Sequence, residues 1–524
     1  MDTPGLARGV LVLCLLSMLL SIWFQHGRSW DGDEWGSCLA FSESYHTLFT
    51  HFQGWETMNF YLAGLKLIHD QMGGGKWLLV LPGILTGGWL VWLVASLALR
   101  LHATKHAVLT AALLVSVNPF LVGYGVTIRA YIFLAAFSSA MMLCLFDWRQ
   151  TGRWTQGALC GLSGALGLLA HLNAIYTFAA VSVLAVCWTT GRALRREPDW
   201  FVRFLRLGIP VIVLCGLAAA AYIPQGDDIM RFRSLWSDTP PTPVNYLPAV
   251  LVRFFGKGYL PLPALAALFY SAWRSSRDGR QTQWMLLAVI VPAASISLAG
   301  VSHFPWAYSR FLIAVLPWLV LLIADGLWPA AGRWQWMAWG AVVVLTVCSL
   351  VALKEWRDQF HGYPWDRVAQ RARQAMAPNG GCVVIGKPVN REALLCYGVS
   401  SYQSLEEALS SVPADQSLRM VLVDTAGVFE NESKAETSGL AHILILEDKP
   451  HALCDQLVKI LVAGTGDRVS GDLAPVYEQL AALFRWAGRM EEASKYDHLY
   501  YRCLLRTPEA MNAPPQFLRQ GRFP

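Results

Sequence analysis

Charge is what this chain has least of. Only 15% of its 524 residues are Asp, Glu, Lys or Arg, where a soluble domain carries about a quarter. Over this length the shortfall excludes an ordinary soluble enzyme. Cysteine is sparse as well, at 11 residues, with no Cys-x-x-Cys and no Cys/His cluster at metal-ligand spacing, which excludes a disulfide scaffold or a zinc ribbon. No Gly-x-x-x-x-Gly-Lys-[Ser/Thr] loop occurs. Gly73-Gly74-Gly75-Lys76 lacks that frame, and Val423-Asp424-Thr425-Ala426-Gly427 has no phosphate loop to work with, so a nucleoside triphosphate site is excluded. The 43 Gly and 26 Pro are near-average and exclude collagen-like or low-complexity chains.

What is abundant is apolar surface: 55% hydrophobic residues, 23 Trp and a mean hydropathy of +0.38. The class is an integral membrane protein. In that class Lys and Arg gather in cytoplasmic loops for topological reasons. The net charge of +6 therefore does not point to nucleic acid, and none is expected as a partner.

The first apolar run, Leu6 to Phe24, has Arg8 nearby and no small-residue cleavage site before Trp30. It reads as an uncleaved membrane helix. A polar, aromatic stretch over 25–75 follows, too long and too acidic to be a span. Further spans are predicted near 76–99, 106–124, 128–147, 154–171, 174–190, 207–223, 258–273, 284–302, 310–328 and 335–353. Each has roughly 18–24 residues, enough for about 30 Å of hydrocarbon. With the first run, the sequence predicts about 11.

Alternate loops differ in charge. One set holds Arg100 and Lys105, Arg149 and Arg153, then Arg192, Arg195, Arg196, Arg203 and Arg206, then Arg274, Arg277, Arg280 and Arg333. The other holds Asp31, Asp33, Glu34, Glu43, Glu56, Asp227, Asp228 and Asp238. The positive-inside rule makes the first set and the N-terminus cytoplasmic, and an odd span count puts the C-terminal part outside.

Beyond about Lys354 charge rises and Trp nearly vanishes. Strand-like runs at Cys382–Ile385, Met420–Val423 and His442–Leu446 alternate with helical patterns such as Cys454–Val462, the signature of a small α/β domain. Pro475–Cys503 has the spacing of one tetratricopeptide-type helical pair, which cannot bury its face alone and is expected to lie on the α/β domain. The predicted organisation is a membrane domain over 1–353, an α/β extracytoplasmic domain over 354–470, and a helical pair with tail over 471–524.

The chemistry is concentrated in the first outside loop, Trp30-Asp31-Gly32-Asp33-Glu34-Trp35. Three carboxylates beside a membrane helix are unfavourable against lipid; they need water, a cation or positive partners. A second acid, Glu56, lies in Gln53-Gly54-Trp55-Glu56-Thr57. Two carboxylates in an aromatic-walled site suit general-base or divalent-cation chemistry. A solvated loop is the plainer alternative, with Glu56 serving as a surface partner of Lys66 or Arg28.

Asp33-Glu34 just after the first span, then Trp55-Glu56-Thr57-Met58-Asn59-Phe60-Tyr61, resembles the GT-C glycosyltransferases, in particular the bacterial protein O-mannosyltransferase and aminoarabinose-transferase type. Tyr124-Gly125-Val126-Thr127-Ile128-Arg129-Ala130-Tyr131, Ala170-His171-Leu172-Asn173, and Tyr308-Ser309-Arg310-Phe311-Leu312 with Leu316-Pro317 follow in the family's order. The resemblance covers roughly residues 10–350. The family's Pro-Pro pair is Met58-Asn59 here, the Lys that some members carry is Thr57, and the acid often found before Arg-x-Tyr is absent.

The resemblance implies a multi-pass enzyme, expected in a bacterial inner membrane. It would move a sugar from a polyprenyl-phosphate-linked donor to a lipid, glycan or protein acceptor on the extracytoplasmic face, with inversion. Asp33, with Glu34 beside it, is the candidate catalytic acid pair; Asp33 and Glu56 are the candidate ligands of a divalent cation. Arg129 and Arg310, at the outer ends of predicted spans, would hold the donor phosphate, or else act as snorkelling anchors. His171, Tyr61, Tyr131 and Trp55 are candidate substrate contacts, with turn and interfacial-belt roles as the alternatives. Two rivals predict differently. A transporter needs ionisable residues in mid-span and matching halves, which the sequence does not show. A non-catalytic scaffold requires that Asp33 and Glu56 be freely replaceable.

Overall fold

The computed structural model describes residues 4–28, 34, 37–38, 40–51, 58–73, 75–101, 103–228, 261–278, 288–290, 312–328, 335–360, 365–376, 381–385, 394, 399, 405–411, 418–424, 436–438, 441–448, 450–465, 473–487 and 489–505. The chain divides into two compact units, one of Met1–His26 with Ala40–Arg357 and one of Gly27–Leu39 with Asp358–Pro524.

The first unit is helical. In chain order it contains α1 (Pro4–Gln25), α2 (Tyr45–Thr50), α3 (Asn59–Met72), α4 (Lys76–Arg100), α5 (Lys105–Ser116), α6 (Pro119–Gly125) and α7 (Tyr131–Thr151). Then come α8 (Trp154–Ala170), α9 (Ala174–Leu194), α10 (Trp200–Ala220), α11 (Pro261–Asp278), α12 (Leu316–Leu327) and α13 (Gln335–Phe360). Six of these, α1, α4, α7, α9, α10 and α13, are long and apolar enough to cross a membrane. At 1.5 Å per residue each reaches at least about 30 Å. Large apolar side chains stay exposed on them, among them Leu11 and Leu19 of α1, Ile212 and Leu217 of α10, and Trp336 and Val347 of α13. Water would penalise such a surface, and lipid accepts it. The protein is a multi-pass integral membrane protein.

Several predicted spans take another form. The 106–124 run is two helices, α5 and α6, bent by 54°. The cause is local: the residue before a proline leaves the helical region, and the Asn118 side chain accepts from Phe120 N (3.0 Å) and Leu121 N (3.1 Å), capping a new helix. The 258–273 run is the 18-residue α11, whose last turns hold Arg274, Arg277 and Asp278, and it does not qualify as a span. The 310–328 run contributes a 3-10 turn, Leu312–Ala314, and the 12-residue α12. The 284–302 run lies outside the described residues apart from 288–290. Of the predicted spans, the described residues contain six, or seven if the bent pair is one. Within the predicted 25–75 loop, α2 and α3 form.

Helices α8 and α10 meet backbone to backbone. A Cβ on Gly157 would lie 2.0 Å from Arg206 O, one on Gly161 2.7 Å from Pro210 O, and one on Gly164 2.7 Å from Cys215 Sγ. Gly157 and Gly161 allow this backbone approach, and Gly164 makes room for the Cys215 side chain, where lipid supplies no hydrophobic drive for helix association. Gly161→Val is expected to destabilise the protein by about 1–3 kcal/mol or more through overpacking. Its melting temperature in detergent should fall well below wild type, whereas Gly191→Val, at a glycine with open space around it, should change little.

The second unit carries α14 (Trp365–Ala375), β1 (Gly381–Ile385), α15 (Leu405–Ser410), β2 (Leu418–Asp424), β3 (Glu436–Ser438), β4 (Ala441–Asp448), α16 (Pro450–Thr465), α17 (Ala474–Trp486) and α18 (Met490–Leu505). Sheet order is β1-β2-β4-β3, with β1 and β2 parallel and the other pairs antiparallel. Side chains alternate across it. Val383, Met420, Leu422, Leu444 and Leu446 share one cluster with α15–α18, while Cys382, Val384, Val421 and Val423 pack with Trp365, Val368 and Ala372 of α14. Both faces are covered, which is why β1 and β2 read as unbroken apolar runs. Phe484 of α17 stacks on Tyr496 of α18 at 5.2 Å, and both belong to the first of these clusters.

Candidate active site

The helices of the first unit have two chemically different ends. At one end lie the turn Val126–Ala130 between α6 and α7, the turn His171–Asn173 between α8 and α9, and Tyr222–Gln225 beyond α10. Tyr222 ties two of these connections together by donating to Leu168 O (2.9 Å). At the other end the basic connections meet.

All five residues of the Val126–Ala130 turn are buried, Arg129 included. Arginine is seldom buried unless it is paired. Tyr131 opens α7 and its ring lies 5.1 Å from that of His171, which is 1% exposed. His171 ends α8, and its Nδ1 accepts from Asn173 N (3.2 Å). The ring is therefore neutral, with its proton on Nε2. Burial, and then the charge of Arg129, push its pKa down to about 3. Three of the predicted site residues, Arg129, Tyr131 and His171, thus come together. Because the folded value lies below the unfolded one of about 6.5, the stability that the neutral ring confers is complete above about pH 6.5 and is lost as pH falls toward 3. The melting temperature is expected to drop over that range, and His171→Gln should flatten the drop.

Helix α3 is docked against the same turn. The buried Met58 sulfur accepts from Ala130 N (3.4 Å). Asn59 Nδ2 donates to His51 O (2.8 Å) and Gln225 Oε1 (3.2 Å), and Gln225 Nε2 donates to Phe49 O (3.1 Å). Met58 and Asn59, which stand where the family has Pro-Pro, thus hold α2 and α3 onto Ala130 and Gln225. Sequence reasoning missed this role, since neither residue type advertises a partner so distant in the chain. Tyr61, one turn further along α3, is placed elsewhere. With Tyr45, Phe49, Phe60, Phe133 and Leu169 it lines an apolar groove of about 480 Å³, its ring 5.3 Å from that of Phe133.

Of the predicted acids, Glu34 is described. It is completely buried in an ion pair with Arg28, whose Nη1 also donates to Glu34 Oε1 at 3.3 Å. Both residues belong to the second compact unit, through the segment Gly27–Leu39. The guanidinium compensates the buried carboxylate and fixes its position. The sequence offered Arg28 only as a partner of Glu56. Lys66, the other such partner, donates to Phe41 O (2.7 Å) and pairs with Asp70 (3.2 Å). Asp33, Trp55, Glu56 and Arg310 lie outside the described residues. Among the described residues no three His, Cys, Asp or Glu side chains lie together as a metal site, and the candidate cation ligands Asp33 and Glu56 are not among those residues.

One end of the membrane helices thus holds a buried arginine on a turn with a buried histidine beside it. Residues 59–215 match the sequence profile of the dolichyl-phosphate-mannose-protein mannosyltransferase family. In three dimensions the chain is similar to ArnT from Cupriavidus metallidurans in the apo state, with a TM-score of 0.55 at 13% identity over 84% of this chain and 98% of that one. This chain has the GT-C fold. The same ArnT bound to undecaprenyl phosphate gives 0.54 at 12% identity, over 83% and 97% of the two chains. An oligosaccharyltransferase of Archaeoglobus fulgidus in its apo form gives 0.49 at 12% identity, over 94% and 73%. No curated protein sequence matches the chain significantly. The profile match runs from α3 to α10, so the GT-C signal spans the elements that assemble Arg129, Tyr131 and His171.

Proposed function

We propose that this GT-C protein transfers a sugar from a polyprenyl-phosphate-linked donor to a hydroxyl acceptor at the extracytoplasmic face. The observation that carries the reading is the buried Arg129 beside a neutral His171. A guanidinium there offers a planar fork to a phosphate, and an uncharged imidazole adds an Nε2 proton without demanding a counterion of its own. The apolar groove through Tyr61 supplies a surface for the isoprenoid chain.

The chemistry follows from the leaving group. A hydroxyl is a weak nucleophile, so a carboxylate takes its proton as oxygen attacks the anomeric carbon; Asp33 is assigned that task. The bond from the anomeric carbon to the phosphate oxygen breaks in the same displacement, which inverts the configuration. Negative charge builds on the lipid phosphate, and Arg129 with Arg310 stabilises it. Because Arg129 is already buried and positioned, little reorganisation is needed as that charge develops.

The test is Arg129→Gln in membranes of the native host, with lipid-linked and polymer-linked sugars profiled by mass spectrometry at matched protein levels. Transfer is expected to fall roughly 100- to 1,000-fold, as for loss of one preorganised donor to a developing anion, and the polyprenyl-phosphate sugar should accumulate. Should deletion of the whole protein alter the glycans while Arg129→Gln leaves them at wild-type levels, the phosphate assignment is wrong.

A further inference from the structure

Opposite the Arg129 end, the termini of α7, α8, α9 and α10 converge on a cluster of arginines. Arg192 Nη2 donates to Arg149 O (3.3 Å), Arg206 Nη1 to Gly152 O (3.3 Å), and Trp148 Nε1 to Arg203 O (3.1 Å). The Arg149 guanidinium lies over the Trp188 ring, 4.6 Å from its centroid. Arg195 and Arg196 follow on the turn after α9, where Arg196 adopts φ 57°, a left-handed conformation uncommon for a residue with a side chain. The carboxylates in the cluster are already engaged: Glu197 accepts from Arg192 at 3.0 Å, and Asp199 pairs with Arg203. Among the described residues, the ends of α7–α10 and the connections joining them thus carry seven guanidinium groups, Arg153 included, against Glu197 and Asp199, while Asp147 pairs with Arg100.

Membrane topology explains why basic residues lie in these connections, but not why they are fixed in place. A snorkelling arginine needs only to reach water. Here Arg149, Arg192 and Arg206 are held on backbone carbonyls or an indole face, so like charges are concentrated at close quarters, an arrangement that an anion relieves. The surroundings indicate which anion. Leu194 is 80% exposed and Phe201 52% exposed, flanking the arginines on α9 and α10. Cationic forks beside exposed apolar side chains match an amphiphile with a phosphate at one end and hydrocarbon at the other.

We propose that this cluster binds the headgroup phosphate of an anionic phospholipid, with the acyl chains lying over Leu194 and Phe201. The site is distinct from the Arg129 end and does not depend on the transferase reading. The full chain, purified in an uncharged detergent, would be examined by native mass spectrometry and thermal unfolding with phosphatidylglycerol, phosphatidylcholine or inorganic phosphate. Phosphatidylglycerol is expected to be retained and to raise the melting temperature, the other two having little effect. The exposed pair Arg195→Gln/Arg196→Gln should weaken retention about tenfold or more without changing the unliganded melting temperature, and Arg149→Gln should weaken it further. Equal retention of phosphatidylcholine would overturn the proposal. So would full stabilisation by inorganic phosphate, or undiminished selectivity in both variants.

Discussion

Arg28→Ala is expected to destabilise the protein by about 3–5 kcal/mol, because it leaves the fully buried Glu34 carboxylate without its guanidinium. Taking an ion out of water is unfavourable unless a partner of opposite charge goes with it, and with its guanidinium gone the carboxylate is left as an uncompensated buried charge. The consequence should be visible as a large drop in melting temperature and in the yield of folded protein in detergent. A second comparison separates loss of the pair from exposure of one charge. Arg28→Met combined with Glu34→Met removes both ions and keeps similar volume, so it should recover most of the loss. If Arg28→Ala melts within a degree or two of wild type, the ion pair does not hold this segment.

Asp33→Asn, one residue away, should behave in the opposite way. The amide keeps the size and polarity of the side chain and cannot accept the acceptor's proton, so transfer is expected to fall by roughly 100- to 10,000-fold with the melting temperature unchanged. Glu34→Gln is the matched control. It weakens the clamp with Arg28, and its effect should appear in stability, with the chemistry of the surviving folded protein largely retained. Adjacent acids with opposite signatures would separate the proton acceptor from the carboxylate paired with Arg28. Equal transfer by wild type and Asp33→Asn, at equal protein levels, would remove Asp33 as the base and favour the scaffold reading.

Much of the architecture was legible because it is written in local periods. Runs of about 20 apolar residues mark α1, α4, α7, α9, α10 and α13, since hydrocarbon thickness sets a length that any stretch either meets or does not. Alternation of short apolar runs with helical ones marked the α/β region. Asn118-Pro119 in the middle of an apolar run carried its own break, and counting hydrophobic residues alone overlooked it. In α11 the run was apolar enough at its start, but Arg274, Arg277 and Asp278 end the helix as a polar one.

The candidate site divides along the same line. Arg129, Tyr131 and His171 were found because each sits in a short motif whose order along the chain is informative. Their juxtaposition was not, and neither was the neutral state of His171, which follows from burial and from Arg129 nearby. Composition and local pattern determine that this chain spans a membrane repeatedly, where its basic connections lie, and which short segments carry ionisable groups. Only the folded structure decides that Glu34 is clamped by Arg28, that Met58 accepts from Ala130, and that Asn59 meets Gln225 across 166 positions. Helix length and amphipathic period are properties of consecutive residues and can be read in order. A buried ion pair or amide bridge depends on which distant surfaces meet, and that is settled only when the chain packs.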